Sequence, residues 1–161
     1  MIEKETSAIA LAIVTILCVF VAVQPIIPYN TEHFSELGIL GPQQTIGNYP
    51  TNVTQGSRFT LYAYVGNHEG VVEYYQVVVK LGNQSTIVSN STASKAPVIS
   101  TYSLVLSNGA NSTFPMNLSL NHTGTFQRLI FELWAFDALN SSFVFAQIQP
   151  DQIWVNVTSP T

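Results

Sequence analysis

Arg58-Phe-Thr-Leu-Tyr-Ala-Tyr-Val65 alternates without a break. Phe59, Leu61, Ala63 and Val65 fall on one side of an extended chain, and Thr60, Tyr62 and Tyr64 on the other. That two-residue period is the mark of a strand with one buried face. Gly66-Asn-His-Glu-Gly70 follows with turn chemistry, since Asn67 tolerates left-handed backbone and Gly70 enters it freely. From Val72 to Leu81 the alternation resumes, with Tyr75, Val77, Val79 and Leu81 together. The two runs predict a β-hairpin.

The same reading extends to both sides. Phe34–Leu40, Ile99–Leu106, Phe114–Leu120, Gln127–Phe136, Phe143–Ile148 and Gln152–Val157 are short runs rich in β-branched and aromatic residues. Gly, Asn, Ser and Pro separate them, as in strands joined by turns. Gln127–Phe136 is the most apolar and is expected to be central. Gly82–Lys95 reads as a solvated loop or frayed edge. Seven or eight strands within roughly 130 residues predict an all-β chain, an immunoglobulin-like β-sandwich. The single cysteine, Cys18, lies outside these strands, so burial must hold the sheets together without a disulfide.

Toward the N-terminus the pattern changes. No residue from Thr6 to Val23 can carry a full charge, and Ala8–Val23 is almost wholly aliphatic. About 20 such residues at 1.5 Å each span the hydrocarbon core of a bilayer. Thr15 can return its hydroxyl to the helix backbone. Pro25 and Pro28 should stop the helix. Residues 1–28 are thus expected to form a single N-terminal transmembrane helix, and 29–161 an extracytoplasmic domain joined by the tether Gln24–Asn30. A removable signal peptide is the alternative. The apolar stretch reaches or passes that element's usual length, Lys4 sits between Glu3 and Glu5, and no A-x-A site follows.

Those flanking charges do not orient the helix, but the asparagines do. Asn52, Asn83, Asn90, Asn111, Asn117, Asn121, Asn140 and Asn156 each precede Ser or Thr by two residues, with no Pro between. With 12 Asn and 30 Ser or Thr in 161 residues, chance gives about two such acceptors of N-linked glycans. Eight predict an outward-facing glycoprotein whose N-terminus is cytoplasmic.

Charged residues make up 9% of the chain, against roughly a quarter in a typical soluble domain. Five Lys and Arg against nine Asp and Glu give a net charge of −4. No basic patch can form, which argues against nucleic acid as a partner. A surface of hydroxyls, amides and glycans keeps its hydration at any pH and suits an acidic extracellular setting.

Catalytic groups are sparse. His33, His68 and His122 are scattered, and His68-Glu69 on the expected hairpin tip is the best pair for a metal. A blue-copper site needs a Cys beside two His, and Cys18 is in the apolar stretch. No G-x-S-x-G elbow is present. Glu69, Glu73 and Glu132 could serve as acid and base, but Glu132 should face solvent or Arg128. No catalytic residue, metal site or cofactor is expected. Tyr62, Tyr64 and Tyr74, on outward faces of adjacent strands, join His68 and Trp134 as candidates for an interaction surface. The alternative is that a second sheet covers them.

Ile39-Leu-Gly-Pro42, Asn48-Tyr-Pro-Thr-Asn-Val-Thr-Gln-Gly56, Val65-Gly-Asn-His-Glu69, Lys80-Leu-Gly-Asn83, Leu129-Ile-Phe-Glu-Leu-Trp134 and Ile153-Trp-Val-Asn-Val157 carry a resemblance. Together they resemble the extracytoplasmic domain of an uncharacterised archaeal membrane-protein family, a domain of unknown function. The resemblance implies a family whose members often have several membrane helices ahead of the domain, where a single one is expected here. The resemblance brings no active site. The expected role is a non-catalytic accessory or structural subunit of an archaeal membrane or cell-envelope assembly, with the bilayer, protein partners and N-linked glycans as its contacts. A pilus- or archaellum-associated filament or surface-layer-binding component is the first alternative. A metal-binding or hydrolytic surface protein is the second.

Overall fold

The computed structural model describes residues 2–23 and 32–160. It divides into two compact units, Met1–Glu32 and His33–Thr161. The first holds one helix, α1 (Ile2–Val23). Its interior has no Gly or Pro, and its leucines and alanines are strong helix formers. Thr15 Oγ1 donates to the Leu11 carbonyl at 2.8 Å, so its hydroxyl is satisfied within the helix as expected. Ile9, Leu11, Ile13, Val14, Ile16, Leu17, Val19 and Val21 are all more than half exposed, on every side of the helix.

Side chains at positions 2–5, 20, 22 and 23 lie outside the described set. Among the described residues no helix is long and apolar enough to cross a membrane. The transmembrane reading of 1–28 therefore rests on the sequence. The expected stop at Pro25 and Pro28, the tether Gln24–Asn30 and the boundary at 28/29 fall outside the described residues.

The second unit is a two-sheet β-sandwich. Its strands are β1 (Ser35–Leu40), β2 (Asn52–Thr54), β3 (Arg58–Asn67), β4 (Glu73–Gly82), β5 (Val98–Leu106), β6 (Asn111–Ser119), β7 (Gly124–Asp137), β8 (Ser142–Phe145) and β9 (Asp151–Thr158). One sheet has the order β1-β3-β6. The other runs β2-β9-β7-β4-β5, with β8 also paired to β7, which makes β7 central as expected. All pairs are antiparallel except β2 with β9.

Alternation places the core. Leu61, Ala63 and Val65 of β3 and Met116 and Leu118 of β6 point inward from the small sheet. Tyr75, Val77 and Val79 of β4 and Leu129, Phe131 and Leu133 of β7 point inward from the large one. Most are fully excluded from water. Each large aliphatic or aromatic side chain contributes about 1.5–3 kcal/mol by burial, which replaces the missing disulfide.

The expected hairpin of the first two runs does not form. β3 pairs with β1 and β6, whereas β4 pairs with β5 and β7. Their apolar faces meet across the core instead of lying side by side. The hinge of this crossing is Asn67, the last residue of β3 and fully buried. Its Nδ2 donates to the carbonyls of Val71 and Leu106 at 2.8 Å each, and its Oδ1 accepts the Glu69 amide. Asn67 thus bridges the sheets and does not adopt left-handed backbone. Gly70 does, at φ +82°, and a Cβ there would sit 2.7 Å from the His33 ring.

Two further differences follow from local chemistry. The described residues form nine strands, because Asn52–Thr54 adds a short parallel edge beside β9. Its three residues are too few to show a period in sequence. β8 ends at Phe145, shortly before Gln147 turns the chain at φ +55°.

The free margin of β1 is closed locally. Tyr49 Oη donates to the Ile39 carbonyl at 2.6 Å. The Asp151 carboxylate accepts the Ile39 amide, and burial raises its pKa above the ordinary carboxylate value.

Candidate glycan-acceptor and interaction sites

Seven of the eight sequon asparagines are exposed: Asn52, Asn83, Asn90, Asn111, Asn117, Asn121 and Asn140. Asn156 is half-buried. Turns and strand ends present most of them. Asn83 opens the segment after β4, where its Oδ1 accepts the Ser85 amide at 3.0 Å and the Ser85 hydroxyl at 2.7 Å. Asn140 lies on the β7–β8 turn, with its Nδ2 donated to Asp137. That bond and the Leu139 amide hold the Asp137 carboxyl below its ordinary pKa. Asn117 projects from the outer face of the small sheet, where Thr60 Oγ1 donates to it at 2.8 Å.

The segment 83–97 is irregular and mostly exposed, as its polar letters suggest, but it is tied down at two points. Arg128 Nη1 donates to the Thr86 carbonyl at 2.8 Å. Lys80 Nζ donates to the Ser94 carbonyl at 2.6 Å, and the Ser94 amide donates to Glu132 Oε1 at 2.6 Å. These bonds hold it across the outer face of β4 and β7 as a strap. Lys80 and Glu132 form an ion pair at 2.8 Å beneath it, with side-chain exposures of 6% and 0%. Trp134 Nε1 donates to Glu132 Oε2 at 3.0 Å, and the Lys80 ammonium lies 5.4 Å from the centre of the Trp134 ring.

The alternation alone suggested that Glu132 faces solvent or Arg128, but it faces neither. It faces outward from the sheet, but the strap covers it. A signal for this was present. Val77-Val-Val79 and Leu129-Ile-Phe131 are apolar on both sides, which marks strands covered on both faces.

The aromatic candidates divide between two surfaces. Tyr62 and Tyr64 lie on the outer face of the small sheet, and Tyr74 and Trp134 on that of the large sheet. Tyr62 and Tyr64 are not on a strand adjacent to that of Tyr74, because the hairpin does not form, whereas Tyr74 and Trp134 lie on the paired strands β4 and β7. Around Tyr74 a cluster does assemble. Its ring lies 4.9 Å from Phe143 and 6.0 Å from Phe136, which is 5.3 Å from Phe143. Tyr74 remains 40% exposed and neighbouring Val72 and Val105 more so. Trp134 is partly covered by Phe145, 6.1 Å away, and by the Lys80–Glu132 pair.

His68 is half-buried rather than free on a tip. Its ring stacks on Phe34 at 4.5 Å, and its Nε2 is 3.7 Å from Glu36 Oε2. Tyr64 Oη donates to the same carboxylate at 3.1 Å, a bond that raises the phenol's pKa. Glu69 turns elsewhere, accepting the Ser35 hydroxyl at 2.6 Å. Ser35 Oγ is also 2.8 Å from Tyr75 Oη. His68 and Glu69 thus serve separate partners. Among the described residues no group of three or more His, Cys, Asp or Glu could hold a metal ion.

A sequence model described as a domain of unknown function, DUF1616, matches residues 28–156. The chain belongs to the DUF1616 family. No curated protein matches it. Among solved structures, the DUF1616 chain is similar to a β-glucosidase from Listeria innocua in complex with glucose, at TM-score 0.51 and 12% identity, over 78% of this chain and 16% of that one. It thus spans about a sixth of that enzyme's length. A CARDB domain from Pyrococcus furiosus in complex with di-metal ions gives TM-score 0.49 and 13% identity, over 78% and 89%. Sporulation control protein Spo0M from Bacillus subtilis gives TM-score 0.44 and 9% identity, over 78% and 50%. At these identities the likeness to the β-glucosidase concerns the fold alone.

Proposed function

We propose that this DUF1616 protein is a non-catalytic, N-glycosylated extracellular module anchored by its N-terminal helix. In this reading an immunoglobulin-like sandwich acts as an accessory subunit of an archaeal membrane or cell-envelope assembly. One observation carries the reading: a chain with eight glycan-acceptor triplets folds so that seven of the asparagines are exposed. The anchor is supported by residues 6–23, which carry no charge, and by a helix whose apolar side chains are exposed on every side and need lipid to cover them. The N-terminus is then cytoplasmic. The Tyr74–Phe136–Phe143 cluster offers protein partners an aromatic contact of the kind that dominates interface energetics.

The test is fractionation of cells producing the full chain. The expected result is retention in carbonate-washed membranes, degradation of the sandwich by protease added to intact cells, and a mass above the polypeptide's 17.6 kDa that falls on deglycosylation. Mild detergent should release it with other membrane subunits. A chain washed free by carbonate, shielded from protease or free of carbohydrate overturns the reading. A long homopolymer would favour the filament alternative, and a monomer with bound metal the metalloprotein one.

A further inference from the structure

Resting on the glycoprotein reading above, we propose that Asn52 and Asn156 divide their labour: Asn52 accepts a glycan, and Asn156 is a carboxamide plug that stays unmodified. The two are direct partners in the parallel β2–β9 ladder. Asn156 Nδ2 donates to Asn52 Oδ1 at 3.1 Å. Asn156 Oδ1 accepts the backbone amide of Phe126 at 2.9 Å.

That amide needs a partner because the β7–β9 register shifts between Gly124 and Gln127, with Phe126 at φ +52°. A bulge of this kind takes a residue out of the ladder and leaves its backbone groups to other partners. Asn156 fills the gap. Both ends of its side chain are in use, and its strand is paired on one side by β2 and on the other by β7. Asn52 differs on each count. It is exposed, and it sits on a three-residue edge strand whose one partner is β9. Its Oδ1 takes the bond from Asn156, and its Nδ2 makes only a long contact to Thr51 Oγ1 at 3.3 Å.

The chemistry follows the free nitrogen. In N-linked transfer Nδ2 bonds to C1 of a sugar held on a polyprenyl phosphate. The bond from C1 to the phosphate oxygen breaks, the phosphate leaves with the electron pair, and the amide gives one proton to a base of the transferase. At Asn52 this leaves Oδ1 to accept from Asn156 as before. At Asn156 a sugar on Nδ2 would crowd the Asn52 side chain, whose Oδ1 is 3.1 Å away, since paired strands stand only about 4.8 Å apart.

The experiment is glycopeptide mass spectrometry of the full chain made with N-linked glycosylation, on the wild type and two variants. Thr54→Ala and Thr158→Ala each abolish one acceptor triplet and leave both asparagines in place. Expected is a glycan on the Asn52 peptide and a bare Asn156 peptide. Intact mass should fall by one glycan in Thr54→Ala and not change in Thr158→Ala beyond the substitution itself. A glycan on Asn156, a bare Asn52 among other occupied sites, or a loss of glycan mass in Thr158→Ala overturns the proposal while the glycoprotein reading stands. A chain bare at all eight positions overturns both.

Discussion

Lys80 and Glu132 meet at 2.8 Å on the outer face of the large sheet, shut off from water by a strap that their own hydrogen bonds hold down. Each charge has been taken out of water and is compensated by the other. Removing one leaves the second stranded.

Lys80→Met is expected to cost about 3–5 kcal/mol, the usual penalty of an orphaned buried charge. The double variant Lys80→Met, Glu132→Leu should recover part of that loss, because no charge is then buried. Denaturant unfolding of the β-unit measures both. A single-variant cost below about 1 kcal/mol would show that the strap lets water in.

Acidity should favour the fold at Asp151 and Glu73. Burial raises the pKa of Asp151, and burial together with the nearby Glu69 charge raises that of Glu73. A carboxyl whose folded pKa lies above its unfolded value stabilises the fold fully below the unfolded pKa. That contribution is lost as pH rises through the folded pKa. Asp137 is lowered and acts oppositely, its contribution fading as pH falls through its folded value. Asp151→Asn keeps an acceptor for the Ile39 amide without the charge. It should therefore match the wild type in acid and exceed it near neutral pH, as read from melting curves across pH 3–7. A variant less stable at neutral than at acid pH, relative to wild type, would contradict the raised pKa.

Asn67→Ala should destabilise by about 1–3 kcal/mol or more, since it leaves the carbonyls of Val71 and Leu106 without their donor. Hydrogen exchange should then quicken first around the β3–β4 crossing, before the centre of β7.

Tyr74→Ser should leave the melting temperature within a few degrees of wild type, because that ring is 40% exposed. It should weaken capture of co-purifying subunits by about tenfold or more. Equal capture by wild type and variant would place the contact elsewhere.

Strand positions were legible because the Arg58–Val65 and Gln127–Phe136 patterns record which side is buried. Strand partners were not. An inward-facing run looks the same whether its neighbour lies beside it or across the core, so β3 and β4 read as a hairpin. Asn67 marks the crossing, a polar letter whose buried bonds join distant segments. The strap was hidden for a related reason. Ser, Thr and Asn over 83–94 read as solvent-facing loop and most are exposed, but Ser94 is fixed by one cation and one anion 52 positions apart, Lys80 and Glu132, and Thr86 by Arg128. The acceptor asparagines were fully legible as triplets, but the Asn52–Asn156 pairing needed β2, too short to leave a periodic trace.

The stopper that Tyr49 and Asp151 place on Ile39 has a consequence for molecules standing crowded together. An open strand margin invites an identical neighbour to zip onto it and seed an endless ribbon. Here the peptide group that such a neighbour would grip is already taken from within, so close quarters need not become clumping.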